Sequence, residues 1–202
     1  MKKYIAIAGN MGCGKSTLVD FLCKHYKLKP FFEPNEQNPY LKDFYLDMKR
    51  WAFKSQIYFL THKFRIHQDL DLEEKTVVQD RTIYEDAEIF ATNLKNSHYI
   101  STRDYKTYME LYRIILRSIN PPDLMIYLYC STRTIKKRIK KRGRLMEQSI
   151  PSSYLRKLSV LYERWYKNYK LSPTIAISTD NLDYISDFVA RADLLDKIEN
   201  HL

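Results

Sequence analysis

Glycine is scarce in this chain: there are four in 202 residues, at positions 9, 12, 14 and 143. Flexible glycine-rich connections are excluded, and no linker, low-complexity segment or internal repeat interrupts the sequence. Long apolar runs are missing too. The longest uninterrupted one lies near Leu124 to Cys130, far short of the ~20 apolar residues that a membrane-spanning helix needs. Met1-Lys2-Lys3 followed by apolar residues imitates a secretion signal, but the apolar stretch already stops at Gly9. The three cysteines, Cys13, Cys23 and Cys130, are odd in number and have neither metal nor disulfide spacing. That usage predicts a reducing compartment, cytoplasmic location and ordinary buried thiols. Negative charge is in deficit, with 24 acidic against 34 basic residues and a net charge of +10. Such a balance suits nucleic acid or small polyphosphate ligands, and no nucleic-acid recognition motif of the common kinds is present.

What the chain does have is 45% apolar and 14% aromatic residues, which argues against disorder. Its length suits one domain spanning 1–202 with a full core. Gly9-Asn10-Met11-Gly12-Cys13-Gly14-Lys15-Ser16-Thr17 contains G-x-x-x-x-G-K-[ST], the phosphate-cradling P-loop. The strand pattern Tyr4–Ala8 precedes it, and Leu18, Leu22 and Tyr26 follow at helical spacing. Glycines let backbone N–H groups converge on phosphate oxygens, and the helix N-terminus adds partial positive charge. In this motif Lys15 reaches the β- and γ-phosphates, and Ser16 ligates Mg²⁺.

Strand-like runs at 3–8, 29–33, 76–80, 124–130 and 174–178 alternate with helical patterns. Alternation predicts an α/β fold of three α/β/α layers around a five-stranded parallel sheet. Ligands in such sheets sit beyond the carboxyl ends of the strands. Glu33, at one such end, is a candidate general base for an attacking hydroxyl. Asp80 is placed to hold Mg²⁺ beside Ser16, and Arg81 to support Glu33 and steady a phosphoryl group. The pattern from Trp51 to about Leu70 puts Phe53, Gln56, Leu60, Lys63 and His67 on one face. Gln56 and Lys63 interrupt an apolar stripe, as they would if a polar ring bound between them; the alternative is a stripe that meets water. His67 reads as a packing histidine. On the next helix Ile83, Asp86, Phe90 and Leu94 share a face, suiting a flat ring stacked on Phe90 with its edge on Asp86. The stripe Tyr108, Leu111, Tyr112 and Ile115 reads as core or subunit contact. Ser131 to Lys141 reads as a basic helix leading into a lid at about 138–148, where Arg138, Arg142 and Arg144 would neutralise a transferring phosphoryl group. Glu147 would reach an acceptor from that lid.

Together these segments resemble the deoxynucleoside kinase family within the P-loop kinases. The resemblance rests on GNMGCGKST at 9–17, FEPN at 32–35, FYLDMKRWAFKSQ at 44–56, QDRTIYEDAEIFATNL at 79–94 and RIKKRGRLMEQ at 138–148. It implies ATP-dependent phosphorylation of a deoxynucleoside 5′-hydroxyl, with ATP and Mg²⁺ as cofactors and a homodimer. It implies Glu33 as base with Arg81 beside it, Tyr45 and Glu147 at the sugar 3′-hydroxyl, Gln56 on the base edge, Phe90 stacked on the base, and Arg138, Arg142 and Arg144 as lid arginines. Neither nucleic acid nor membrane is an expected partner. Two departures stand out: Asn38 occupies a position where some members have tryptophan, and Asp80-Arg81-Thr82 stands where Glu-Arg-Ser is common.

The base-reading residues favour a purine. Ionised Asp86 accepts from adenine's amino group, Lys63 approaches N7 and Gln56 bridges the Watson–Crick edge. Lys63 and Asp86 are expected to pair with each other in the empty site. Thymine leaves Asp86 unpaired, so deoxyadenosine is expected first, deoxyguanosine and deoxycytidine next, and thymidine poor. Two rivals remain at this level. A nucleoside-monophosphate kinase of thymidylate kinase type shares the P-loop and lid, but Glu33 and Glu36 would repel a monophosphate. A nucleic-acid-binding P-loop ATPase would show polynucleotide-stimulated turnover and steep salt dependence.

Overall fold

The computed structural model describes residues 2–33, 37–184 and 186–201. Pro34 and Asn35 of the FEPN segment, and Glu36, read above as repelling a monophosphate, lie outside the described residues. Five parallel strands form one sheet in the order β2-β3-β1-β4-β5. They are β1 (Tyr4–Gly9), β2 (Lys29–Phe31), β3 (Val77–Asp80), β4 (Leu124–Tyr129) and β5 (Thr174–Ser178). Helices cover both faces, so the central strands are apolar almost throughout. Ile5, Ala6, Ile7, Ala8, Val77 and Val78 are all buried. The register pairs Ile7 with Asp80 on one side and Gly9 with Leu128 on the other. The P-loop and the β3 carboxylate therefore leave the sheet side by side, at the end where such sheets bind ligands.

Helix α1 (Lys15–Tyr26) starts from Gly14 at φ 95°. α2 (Leu41–Leu46) and α3 (Met48–Leu72) follow, and the Asp47 side chain caps α3 by accepting from Arg50 N. After β3, α4 (Ile83–Glu85) passes into a π-helical turn (Asp86–Ala91) and then α5 (Thr92–Asn96). Thr82 and Glu85 form a complete capping box at its start, satisfying two otherwise orphaned backbone donors. α6 (Thr102–Leu116) buries Tyr108, Tyr112 and Ile115 but leaves Leu111 and Ile114 exposed. α7 (Thr132–Arg142) ends at Gly143, whose φ of 74° closes the helix in the left-handed region. A 3₁₀ turn (Leu145–Glu147), α8 (Ser152–Asn168) and α9 (Phe188–Glu199) complete the order. Among the described residues no helix is long and apolar enough to cross a membrane.

Candidate active site

A cleft of about 820 Å³ opens beyond the carboxyl ends of the strands. The P-loop forms one end, the π-helical turn and α3 the other, and the 138–148 segment the rim. Gly9 is required by its neighbours: a Cβ there would meet Leu128 O at 2.4 Å. Gly12 and Gly14 both have positive φ, and a Cβ on Gly12 would lie 3.1 Å from Ile135 O. The cradle is thus held against β4 at Gly9 and against α7 at Gly12, while Gly14 is required by its positive φ. The Asn10 side chain ties it to α8, donating to Leu155 O and Ser159 Oγ at 3.0 Å each. Met11 N donates to Asn10 Oδ1, and Thr17 lines the cleft. Lys15 is buried and donates to Asn10 O at 3.2 Å. Burial, then the Arg81 charge, lowers its pKa from the usual lysine value.

Ser16 Oγ donates to Asp80 Oδ2 at 2.5 Å. Asp80 is 3% exposed and its Oδ1 has no hydrogen-bond partner. A hydroxyl and a carboxylate with an unused buried oxygen form a hard-oxygen donor set, which fits a divalent cation that draws its other ligands from phosphates and water. Among the described residues no group of three His, Cys, Asp or Glu could hold a metal alone.

Glu33 lies two residues past β2, which ends at Phe31 rather than at 33. Its carboxylate accepts from Arg81 Nη1 at 2.6 Å, and both side chains are 7% exposed. Arg81 has φ 61°, an uncommon conformation for a residue with a Cβ. Its Nη2 donates to Gly9 O at 3.3 Å, and its guanidinium lies 4.5 Å from the Phe90 ring centroid. Phe90, Asp86, Gln56 and Tyr45 all line the cleft. Gln56 Oε1 and Asp86 Oδ2 are buried without hydrogen-bond partners. Burial first, with Glu33 and Glu85 adding to it and Lys63 and Arg81 opposing, pushes the Asp86 carboxyl up to about 7.

Lys63 does not make the pairing with Asp86 expected from the sequence. It is fully buried, does not line the cleft, and donates to Asp80 O at 3.1 Å and Arg81 O at 2.5 Å. No ion pair joins it to Asp86 among the described residues. It braces the turn that carries Arg81 in its left-handed conformation. His67, one turn further along, packs on the edge of Tyr4, and burial lowers its pKa to about 4.

The rim residues are paired. Arg142 Nη2 donates to Glu147 Oε2, and Arg144 Nη1 lies 3.5 Å from Glu147 Oε1. Arg138 sits deeper, donating from Nη1 to Gly12 O at 3.4 Å and to Thr179 Oγ1 at 2.9 Å, and from Nη2 to Thr179 O at 2.5 Å. Asn38 is buried, with Nδ2 3.2 Å from Ser55 Oγ.

Sequence reasoning missed Glu85. It is fully buried and accepts from Gly9 N at 3.1 Å, Thr82 N at 2.8 Å and the Tyr162 hydroxyl at 2.8 Å, and it lies 3.8 Å from Arg81 Nε. Thr82-x-x-Glu85 was its signal. Asp180, in the loop after β5, accepts from Ser131 N and Oγ and from Thr134 Oγ1, joining that loop to the start of α7. The cysteines also differ from expectation: Cys13 and Cys130, 117 residues apart, bring their sulfurs to 3.4 Å.

The model of the deoxynucleoside kinase family matches residues 5–202. The chain belongs to the deoxynucleoside kinase family. Over 212 aligned residues it is 39% identical to deoxyadenosine kinase of Lactobacillus acidophilus, covering all of this chain and 97% of that one. It is 36% identical to the deoxyadenosine/deoxycytidine kinase of Bacillus subtilis, over 96% of this chain and 90% of that protein. Among solved structures, deoxyadenosine kinase from M. mycoides with bound dATP superposes with a TM-score of 0.85 at 33% identity, covering 98% of this chain and 99% of the other. This deoxynucleoside kinase thus phosphorylates deoxynucleosides, which sets aside the monophosphate-kinase and polynucleotide-ATPase rivals. A kinase family implies ATP as donor and a divalent cation.

Proposed function

We propose that this deoxynucleoside kinase transfers the γ-phosphoryl group of ATP, with Mg²⁺, to the 5′-hydroxyl of purine deoxynucleosides, deoxyadenosine foremost. The observation that carries the base preference is the pair of orphaned acceptors, Gln56 Oε1 and Asp86 Oδ2, beside Phe90. A buried acceptor without a donor costs about 1–3 kcal/mol, which a ligand's amino group recovers. Adenine brings such a donor to Asp86, and the Gln56 amide group supplies both polarities to its ring edge. Cytosine also carries an amino group; thymine does not, so thymidine leaves Asp86 unsatisfied. Arg81 lies over the Phe90 ring, and a base stacks on Phe90 from the cleft that it lines. Lys63, which donates to the Asp80 and Arg81 carbonyls, has no part in this reading. Two relatives are named for deoxyadenosine, or for deoxyadenosine and deoxycytidine, and the order proposed is deoxyadenosine, then deoxyguanosine or deoxycytidine, then thymidine.

In this reading Glu33 takes the proton of the 5′-hydroxyl while Arg81 orients its carboxylate. Tyr45 and Glu147 hold the sugar 3′-hydroxyl. Lys15 and the backbone from Gly9 to Thr17 cradle the ATP phosphates, with Arg138 against the donor side. Ser16 and Asp80 hold Mg²⁺, which when bound neutralises charge on the phosphates. Arg142 and Arg144 exchange Glu147 for the phosphoryl oxygens as the lid closes. The protein works in the cytoplasm as a homodimer, for which the exposed Leu111 and Ile114 on α6 are the natural contact. A coupled phosphoryl-transfer assay over four deoxynucleosides and their monophosphates tests the function. The highest kcat/KM is expected for deoxyadenosine. A maximum for thymidine would overturn the base assignment, and sedimentation of a monomer would overturn the assembly.

A further inference from the structure

Cys13 occupies the P-loop between Gly12 and Gly14 and is 1% exposed. Cys130, just beyond β4, is half-buried. Their sulfurs are 3.4 Å apart, within van der Waals contact and one bond formation away from the ~2.0 Å of a disulfide. Arg138 Nη1 lies 3.9 Å from Cys130 Sγ and spans from there to Gly12 O and Thr179 Oγ1. Nothing in the phosphoryl-transfer scheme uses either thiol. Cys23, the remaining cysteine, sits on α1, where burial raises its pKa.

We propose that Cys13 and Cys130 are a peroxide-modifiable thiol pair: a hydroperoxide oxidises Cys130, and Cys13 then resolves it to an intramolecular disulfide that disables the phosphate cradle. The two thiols have unequal roles. Cys130 is the accessible member and has a guanidinium beside its sulfur, the setting of a reactive thiolate. Hydrogen bonding from the Cys13 thiol, then from Thr179, together with the Arg138 charge, draws its pKa down to about 7 against the opposing effect of burial. Cys13 is buried, and its pKa is pushed up chiefly by that same hydrogen bond and by burial. It is thus the resolving partner.

The Cys130 thiolate attacks a peroxide oxygen. The S–O bond forms and the O–O bond breaks, and the leaving oxygen takes up a proton as water or alcohol. The Cys13 thiol then attacks the sulfenic sulfur. The S–S bond forms, and the hydroxyl leaves as water with the Cys13 proton. Two thiols and one hydroperoxide become one disulfide, one water and one alcohol or second water. Closing 3.4 Å to about 2.0 Å draws the P-loop toward the end of β4. Cys13 O is already held by Thr179 Oγ1 at 3.0 Å, so the displacement falls on the neighbouring Gly12 and Gly14 of the phosphate cradle. Functional geometry tolerates about 0.5 Å.

The test treats the full-length protein with hydrogen peroxide and follows three readouts: intact mass, disulfide-mapped peptides, and phosphoryl transfer before and after dithiothreitol. A loss of two hydrogens, a Cys13–Cys130 linked peptide, and at least a tenfold fall in kcat/KM for ATP that dithiothreitol reverses are expected. Cys130→Ser, or Cys130→Ala should serine misfold, is expected to keep basal transfer and lose both the link and the sensitivity. Cys23→Ser is expected to behave as the unmodified chain. Sulfinic or sulfonic Cys130 without a link, a disulfide between chains, a link that leaves transfer unchanged, or full peroxide sensitivity in Cys130→Ser would each overturn the proposal. The mass and mapping readouts do not depend on which nucleoside is the acceptor.

Discussion

Asp86→Asn should stabilise the ligand-free enzyme, and increasingly so as pH rises. The Asp86 carboxyl is pushed up to about 7 by burial, against an ordinary value near 3.9. The sign follows from proton linkage. Between about pH 4 and 7 the folded protein holds a proton on Asp86 that the unfolded chain has lost, so stability falls as pH climbs through that window and levels off above it. Three units at ~1.4 kcal/mol each set a ceiling of about 4 kcal/mol. Water entering the open cleft lowers this to about 2 kcal/mol. Asparagine has the same shape and no ionisation, so it removes the pH-dependent penalty while keeping a polar group in place. For a chain of this length 1 kcal/mol moves Tm by roughly 2–4 °C. The Tm difference between Asp86→Asn and wild type should therefore grow by roughly 3–6 °C between pH 5 and pH 8, measured by scanning fluorimetry without ligand. Any fixed cost of the amide shifts both ends equally and drops out. A difference that stays flat across this range would refute the burial argument. Saturating deoxyadenosine should shrink the slope, because its amino group gives the ionised carboxylate a partner.

Glu33→Gln should lose most of kcat with little change in acceptor KM, since proton acceptance occurs only in the transition state; a pure KM effect would reduce Glu33 to a binding residue. Arg142→Ala and Arg144→Ala should lower kcat more than they weaken nucleoside binding, as steady-state kinetics beside equilibrium titration would reveal, and the opposite split would count against a phosphoryl contact. Lys63→Met should cost about 2–4 kcal/mol in urea denaturation, because two buried carbonyls lose their donor. It should leave the ranking of deoxynucleosides unchanged, and a reordered ranking would restore Lys63 to base recognition.

The strands were legible because parallel strands buried on both faces read as apolar runs; Tyr4–Gly9 and Leu124–Tyr129 stand out before any fold is assumed. The helical segment after β3 was legible only in part. A 3.6-residue period puts Ile83, Asp86, Phe90 and Leu94 on one stripe, yet the π-helical turn Asp86–Ala91 inserts an extra residue. Asp86 and Phe90 turn into the cleft, while Ile83 and Leu94 stay in the core. Nothing in local propensity announces a π-turn, which occurs mainly at functional sites. The expected pairing of Lys63 with Asp86 failed for a different reason: periodicity reports a face and not a depth. Two turns from Gln56 the ammonium lies at the end of β3, where the Asp80 and Arg81 carbonyls take it instead of the Asp86 carboxylate. The Cys13–Cys130 contact, 117 residues apart in sequence, depends on the parallel pairing of β1 with β4, which spacing alone does not encode.

Arg81 explains why so much buried polarity is tolerated around β3. A left-handed arginine costs about 1–3 kcal/mol and persists only where its surroundings over-determine it. Here Lys63 binds the carbonyls on either side of the Arg81 Cα, those of Asp80 and Arg81, and the Thr82–Glu85 capping box fixes the turn from the other direction. Glu85 also receives Gly9 N, so the same carboxylate anchors the P-loop and lies beside the Arg81 Nε. The conformation directs one guanidinium at three places: the Glu33 carboxylate, the Gly9 carbonyl and the face of Phe90. An extended arginine at this position would point elsewhere and leave Glu33 without the partner that orients it. The Arg81 strain, the Lys63 burial and the Glu85 hub are thus one device. It fixes the distance between the Glu33 carboxylate and the phosphate cradle, and a phosphoryl-transfer site without covalent chemistry depends mostly on such positioning.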